Sequence, residues 1–593
     1  MEIRNIAIIA HVDHGKTTLV DFLLKQSGAF RDNEATEERM MDSMDLERER
    51  GITIAAKNAS FIYNNVKVNI VDTPGHSDFG GEVERILDMV DGAILLVDAS
   101  EGPLPQTRFV LKKALAQNKK IILCVNKIDR KDQRTDVVLD EVFNLFIDLE
   151  ATDEQVNFKT IFAIAREGKA SQDYEKVTQT DSLKELFDLI ISEVPPPKII
   201  EGAPFQMLIT NIGYNPYVGR LAIGRIQAGS VKLGDRLSLH QEEGKIQSYK
   251  VTSLLAYSRN QQVEVKELTA GDIGILSGYE DIMIGDTISA LEVTVPLPRV
   301  NVDEPTVGIF MSVNNGPFAG KEGKFVTSRK IKERLDKELL TNLSLKVEAT
   351  ENADTFKVIA RGELQIAILL EQMRREGYEV LVSQPQVIYK QENGKKLEPF
   401  DLVYIDVEEP YLGTVTQKLQ MRKGILTEMN NKGHGRATAV FRIPARGLIG
   451  YRSEFLTDTR GTGLLNSQYD GYDEYRGDIQ KRYTGRMVSD RQGKATPYSL
   501  FHLEDRGALF IDGTVQVYKG MIIGDYNKGG ELNVNVCREK KLTNVRASGT
   551  DEHIKLSPIK PITIESSLEW IIEDELIEIT PLNVRLRLKN CNY

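Results

Sequence analysis

The 593 residues leave room for about four domains at roughly 150 residues each, and a composition 41% hydrophobic and 27% charged is that of a soluble protein with several cores. Three dispersed cysteines, Cys124, Cys537 and Cys591, lack CxxC spacing; they indicate neither a zinc site nor a disulfide framework and fit a reducing, cytoplasmic compartment. No stretch nears the ~20 apolar residues that span a bilayer, the N-terminal apolar run is too short for a signal peptide, and a net charge of −11 runs against an overall nucleic-acid binder.

The chain opens with alternating strand and helix patterns. A strand is predicted over 3–10, then a helix over 16–25 with Leu19, Leu23 and Leu24 on one face. An alternating strand over 66–71 runs into Asp72, and short apolar runs at 93–97 and 121–125 suit strands buried on both faces of a parallel sheet. Helical patterns at 104–116 and 137–149 complete the rhythm of a doubly wound α/β fold. Pro195-Pro196-Pro197 favours an extended spacer and marks a boundary.

From 205 to 291 short strands are punctuated by glycines without helical periodicity, which predicts a β-barrel. Two units of strand–helix–strand–strand–helix–strand order follow. In the first the elements are predicted at 307–311, 329–340, 343–347, 355–360, 363–375 and 379–382. The second starts at Leu402, with helices at 413–421 and 445–456. Each matches a ferredoxin-like α+β motif. The stretch beyond about 478 is strand-rich and less regular, and is expected to form a separate C-terminal domain. The expected boundaries are 1–197, 198–298, 299–392, 393–478 and 479–593.

Three strings fall at predicted strand ends in the first domain. Ala10-His-Val-Asp13-His14-Gly15-Lys16-Thr17-Thr18 joins the first strand to the first helix, the setting a P-loop requires. Its backbone N–H groups and the helix N-terminus would face phosphates. Lys16 would reach the β- and γ-phosphates, and the Thr17 hydroxyl would bind Mg²⁺. Ala10 stands where the motif usually begins with glycine, a substitution compatible with a negative φ. Asp72-Thr-Pro-Gly75-His76 continues a strand; Asp72 would hold Mg²⁺ through water and the Gly75 amide would sense the γ-phosphate. Alone, that string reads equally well as a strand-end turn. Asn126-Lys127-Ile-Asp129 follows the strand ending at Val125, at the edge where open α/β sheets bind ligands. The Asp129 carboxylate can accept from guanine N1–H and the 2-amino group, donors that adenine lacks, so the combination names a P-loop GTPase domain.

These residues resemble the translational GTPases. The resemblance makes Arg50-Gly-Ile52-Thr53 part of switch I, with Thr53 a Mg²⁺ ligand in the GTP state. It makes His76 the catalytic residue that orients the attacking water, flanked by Val12 and Ile52. It implicates Asp13 in binding a monovalent cation. The Ser-Ala pair with which the family contacts guanine falls at Ile164-Ala165, so only the Ala165 amide carries over. The barrel and the two α+β units are similar to those of elongation factor G, but its fourth domain is missing, since Tyr389 leads almost directly into Pro399. Arg446-Gly-Leu-Ile-Gly-Tyr-Arg452, Arg460-Gly-Thr-Gly463, Lys541-Leu-Thr-Asn544 and the terminal 574–581 segment together resemble the TypA/BipA family over nearly the whole chain.

That resemblance implies a cytoplasmic, monomeric enzyme without membrane contact. It would hydrolyse GTP to GDP with Mg²⁺, and its partner would be the ribosome, through ribosomal RNA or tRNA, in translation or ribosome assembly under stress. The acidic total charge is offset by local basic groups: Arg422, Lys423, Lys432 and Arg436 in the second α+β unit, and Arg538, Lys540, Lys541, Arg546 and Lys555 near the C-terminus. RNA contact is expected at Lys540, Lys541, Asn544 and Arg546; ordinary solvated loops are the alternative. A GTP-controlled signalling module acting away from the ribosome is the rival reading of function. His240, His434, His502 and His553 show no ligand spacing, and Trp570 is expected in a core.

Overall fold

The computed structural model describes residues 1–11, 13–29, 45–50, 57–74, 80–215, 217–299, 305–342, 344–433, 435–479, 482, 484–539 and 556–590. The chain forms two compact units, one of residues 1–303 with 340–344 and one of residues 304–339 with 345–593.

In the first unit a seven-stranded sheet has the order β2-β3-β1-β4-β5-β6-β7: β1 (Glu2–Ala10), β2 (Lys57–Tyr63), β3 (Val66–Asp72), β4 (Gly92–Asp98), β5 (Lys120–Asn126), β6 (Lys159–Ile164) and β7 (Lys169–Ser171). β3, β1, β4, β5 and β6 run parallel, and the flanking strands β2 and β7 are antiparallel to their neighbours. Continuous apolar runs form these strands because both faces are covered. Ala7, Ile9, Leu95, Val97, Leu123 and Val125 pack on one side with Val83, Leu87, Leu111, Val138, Val142 and Phe146. Ile6, Ile8, Ile94, Leu96 and Ile122 pack on the other with Leu19, Leu23, Leu186 and Ile190. Helices α1 (Lys16–Leu24), α2 (Asp45–Arg50), α3 (Gly80–Met89), α4 (Pro105–Ala116), α5 (Thr135–Asp148), α6 (Asp153–Val156) and α7 (Lys184–Glu193) complete the domain.

The barrel belongs to the same unit. Its long strand Gly219–Ala228 pairs with Gln206–Leu208, Asn211–Asn215 and Ile273–Ser277, which wraps the sheet around one core. Gly224 is needed there, since a Cβ would lie 2.0 Å from the Leu208 carbonyl oxygen. Backbone hydrogen bonds in both directions between Ser60 and Arg259, 2.8 and 2.7 Å, tie β2 to the barrel. Lys67 contacts both Asp272 carboxylate oxygens at 2.8 Å, and Arg225 contacts Asp91 at 2.9 Å.

In the second unit both α+β segments show the ferredoxin-like strand order 2-3-1-4. The first contains Val307–Val313, Lys346–Ala349, Thr355–Ala360 and Val380–Ser383. The second contains Lys395–Glu408, Ile425–Gly433, Arg436–Pro444 and Leu464–Glu474. The second segment's last helix is shorter than the 445–456 pattern: a 3₁₀ turn at Ala445–Gly447 and a left-handed Gly450 (φ 72°) precede Tyr451–Asp458. The chain passes from one sheet to another at the expected division near 479, but the main strands beyond it do not form a separate sheet. Glu575–Ile579 pairs antiparallel with Val380–Ser383, so the first α+β sheet continues through Val584–Leu588, Met521–Tyr526, Gly485–Ser489 and Glu531–Val534 as one ten-stranded sheet. One core spans the junction, with Val380, Val382, Ile522, Leu568 and Ile577 packed together. Trp570 packs against that core, edge-on to Phe510 at 5.3 Å between ring centroids.

Candidate nucleotide-binding site

The P-loop residues sit where β1 ends. Ala10 closes the strand with negative φ, and the left-handed positions fall on Asp13 (φ 63°) and Gly15 (φ 94°). A side chain at Gly15 would be strained by that φ and would also place its Cβ 2.5 Å from Asn126 Nδ2. Lys16 opens α1, and its ammonium lies 2.9 Å from Asp72 Oδ1 and also donates to the Thr73 carbonyl. Asp72 is fully buried at the end of β3, and the Thr73 hydroxyl donates to the Ile8 carbonyl at 2.7 Å, which fixes the β3 end against β1. Thr17 is half-buried in the first turn of α1. A hydroxyl and a carboxylate are hard oxygen donors of the kind Mg²⁺ takes.

Asn126 ends β5 and joins three segments. Its Nδ2 donates to the His14 carbonyl at 2.8 Å, and its Oδ1 accepts from the Ala165 amide at 2.9 Å. The Ala165 amide, expected to face guanine, is therefore engaged by Asn126 here. Lys127 (φ 61°) turns back across the loop, where its ammonium donates to the Asp13 carbonyl at 2.6 Å and sits 2.9 Å from Asp98. Asp129 pairs with Arg166 at 2.7 Å. Gly15, Thr18, Asn126, Lys127, Asp129, Arg130, Ala165 and Arg166 line one cavity of about 340 Å³, within the roughly 300–1,000 Å³ usual for ligand sites.

The structure thus brings the P-loop, Asp72 and Asn126–Asp129 to one edge of the sheet. His14 turns its ring inward: it is 0% exposed, with Nδ1 3.4 Å from the Leu96 carbonyl and Nε2 3.4 Å from Glu101. Only its backbone is available to a phosphate, and His14 holds the Glu101 carboxyl below the usual carboxylate range. Thr53, Gly75 and His76 lie outside the described residues, as do the flanking Val12 and Ile52 and the RNA-contact candidates Lys540, Lys541, Asn544 and Arg546.

Two groups near the pocket escaped the sequence reading. Asp98 ends β4 as Asp72 ends β3; burial pushes its pKa up, but the Ser100 hydroxyl and amide and the Lys127 ammonium outweigh that and bring it to about 2. The position of Asp98 at the end of an apolar run was the available signal. Arg166 follows Ala165 in a 3₁₀ turn and had no such signal.

The basic groups of the second α+β unit are corrected in part. The Arg422 guanidinium donates to the Gly447 carbonyl and to Glu454 at 2.9 and 2.8 Å, and Arg436 donates to Asp406 at 2.8 Å. These two cations stabilise their own fold. Arg446 is buried on Glu398 and the Gly477 carbonyl, which explains an arginine at that position structurally. Lys423 is exposed, and the Lys432 side chain lies outside the described residues.

Four family models match the chain: the elongation factor Tu GTP-binding domain over residues 1–196, elongation factor Tu domain 2 over 219–289, the elongation factor G C-terminus over 395–483, and the TypA/BipA C-terminal domain over 484–593. A protein of Escherichia coli strain K12 named large ribosomal subunit assembly factor BipA is 50% identical over 99% of this chain and 97% of its own. The Bacillus subtilis strain 168 protein of the same name is 48% identical over 100% and 96%. A crystal structure of a protein from Thermus thermophilus matches the fold with a TM-score of 0.55 at 17% identity, covering 80% of this chain and 97% of that one.

Proposed function

This chain belongs to the TypA/BipA family of GTPases, and we propose that it works as a GTP-driven switch on the large ribosomal subunit, engaging the particle in its GTP form and leaving after hydrolysis. The relatives' name supports the target: they are large ribosomal subunit assembly factors, similar to this chain over nearly their whole length. The observation that carries the nucleotide assignment is the Asn126 side chain, which bonds the P-loop through His14 and the β6 turn through Ala165. One residue therefore sets the distance between the phosphate cradle and the base-recognition carboxylate Asp129.

In this reading the amides of Asp13 to Thr18 wrap the phosphates, and the Lys16 ammonium reaches the β- and γ-phosphates. Thr17 and Asp72 would hold Mg²⁺, with Thr53 by resemblance, and would so supply charge neutralisation at the transferred phosphoryl group. Asp129 accepts from guanine N1–H and the 2-amino group. His76 orients the attacking water and the Gly75 amide reports the γ-phosphate, both by resemblance, as is a monovalent cation near Asp13. Contact with ribosomal RNA or tRNA is assigned to Lys540, Lys541, Asn544 and Arg546, and the protein is taken to act as a monomer.

P-loop GTPases without an activator turn over at about 10⁻⁴ to 10⁻³ s⁻¹, and activation adds about 10⁵-fold, equivalent to about 7 kcal/mol of barrier. Hydrolysis is accordingly expected to be slow for the protein alone and fast with ribosomal particles. Multiple-turnover GTP hydrolysis measured alone, with purified large subunits and with complete ribosomes tests this. Equal rates in all three would overturn the ribosomal assignment, and strongest stimulation by complete ribosomes would move the target away from the free subunit.

A further inference from the structure

We propose that Arg166 is a positioning residue for guanine: it orients the Asp129 carboxylate so that both oxygens face the base, and so sets the discrimination between guanine and purines that lack the 2-amino group. This rests on the GTPase reading of the pocket.

Two arginines line the cavity, and their partners separate them. Arg130 is engaged by Asp132, at 2.9 and 2.7 Å, with Asp98 3.5 Å from its Nη1. Arg166 instead places Nη2 2.7 Å from Asp129 Oδ2, while Glu167 lies at 4.0 Å. The strand pairing fixes this encounter. β5 and β6 are parallel neighbours with Asn126 opposite Ala163, so the loops that follow them emerge side by side, one carrying Asp129 and the other Arg166. The β6 turn is itself pinned by the Ala165 amide on Asn126, and Gly168 (φ 66°) closes it.

A carboxylate oxygen accepts along two lone-pair directions. The Arg166 side chain is 71% exposed, whereas that of Asp129 is 20% exposed. The base presents two parallel donors, which need both carboxylate oxygens in one plane. A carboxylate free to rotate about χ2 would offer a two-oxygen edge only part of the time; a guanidinium 2.7 Å from Oδ2 restrains that rotation through its charge. The exposed pair itself contributes little to folding, so its effect should appear in base selection.

The experiment compares GDP and IDP binding by calorimetry for the full-length protein and for Arg166→Ala and Arg166→Lys. It adds Asp129→Asn with XDP, because the asparagine amide matches the N1–H donor and O2 acceptor of xanthine. Arg166→Ala should weaken GDP by about fivefold, weaken IDP less, and so narrow the GDP/IDP ratio, with Arg166→Lys intermediate. In the Asp129→Asn background, Arg166→Ala should leave XDP affinity unchanged, since there is no carboxylate left to orient. Parallel losses for GDP and IDP, no loss for either, or the same loss for XDP would overturn the proposal. Wild-type protein that failed to bind GDP would instead overturn the GTPase reading, so the two failures are distinguishable.

Discussion

The Lys16 ammonium stands 2.9 Å from the Asp72 carboxylate, with the two side chains only 10% and 1% exposed. The cation that would serve the phosphates therefore also compensates a buried charge. Breaking a buried pair by removing one member costs about 3–5 kcal/mol. Lys16→Met is expected to lower nucleotide-free stability by about 3 kcal/mol, read from urea unfolding, and to reduce GTP turnover at least about 100-fold. Added GDP and Mg²⁺ should raise the unfolding midpoint of the wild type far more than that of the variant. A variant as stable as the wild type without nucleotide would show that the pair contributes nothing to the resting protein.

Asn126 makes two buried hydrogen bonds to two different loops. Asn126→Ala leaves the His14 carbonyl and the Ala165 amide without that partner, at about 1–3 kcal/mol for each buried group. Asn126→Asp keeps the acceptor for Ala165 but turns a carboxylate oxygen toward the His14 carbonyl. GDP affinity should fall in both, and further in the aspartate variant because two acceptors then face each other. Calorimetric GDP titration checks the order; equal affinities for Asn126→Asp and wild type would remove Asn126 from the framework of the pocket.

The Asp98 carboxyl is depressed from 3.8 to about 2: burial opposes ionisation, and Ser100 and Lys127 overcome it. A group whose pKa is lower in the folded state adds stability that is present above its unfolded value and is lost as pH falls through its folded value. That contribution is thus intact above about pH 4 and disappears towards pH 2. Ser100→Ala removes the hydroxyl donor but keeps the Ser100 amide bond to Asp98 at 2.7 Å. The variant should lose about 1 kcal/mol near neutrality, and its acid unfolding midpoint, followed by circular dichroism without nucleotide, should move to higher pH. An unchanged acid limb would mean that Lys127 and the amide alone hold the proton off.

Elements whose chemistry is local were legible in the chain. β1, β4 and β5 were readable as continuous apolar runs because helices cover both faces, and Asp72 and Asn126 stood out because each is a polar group at the end of a predicted strand. The turn at 445–450 was less so, although Gly450 carried the signal for a left-handed residue before the helix. What failed to show was anything decided by partners distant in sequence. Arg422, Arg436 and Arg446 read as basic groups, but only the folded chain reveals that Glu454, Asp406 and Glu398 meet them. Arg166 likewise gains meaning only from the adjacency of β5 and β6. The continuous ten-stranded sheet was invisible because Val380–Ser383 and Glu575–Ile579 are each short strands far apart in the chain, with nothing in either to name the other.

That shared sheet makes its own prediction. Glu575–Ile579 lies between Val380–Ser383 and Val584–Leu588, and the buried Glu575 carboxylate also receives Arg482 at 2.8 Å and Arg486 at 2.9 Å. Ending the chain at Asp574 removes two central strands, bares the edges of Val380–Ser383 and Met521–Tyr526, and leaves both arginines without that carboxylate. Exposed apolar strand edges pair with other chains. The truncated protein is expected to lose the cooperative unfolding of its 304–593 unit and to aggregate on heating, while its nucleotide domain, with cores of its own, still binds GDP. Ile577→Asp, which puts a carboxylate into the same core, should do the same more mildly, since an unpaired buried charge is strongly destabilising. Calorimetric scans of the three proteins, with GDP titration as the control, decide it. A truncation that keeps the wild-type transition would show that the C-terminal strands are an accessory to the sheet and not part of its core.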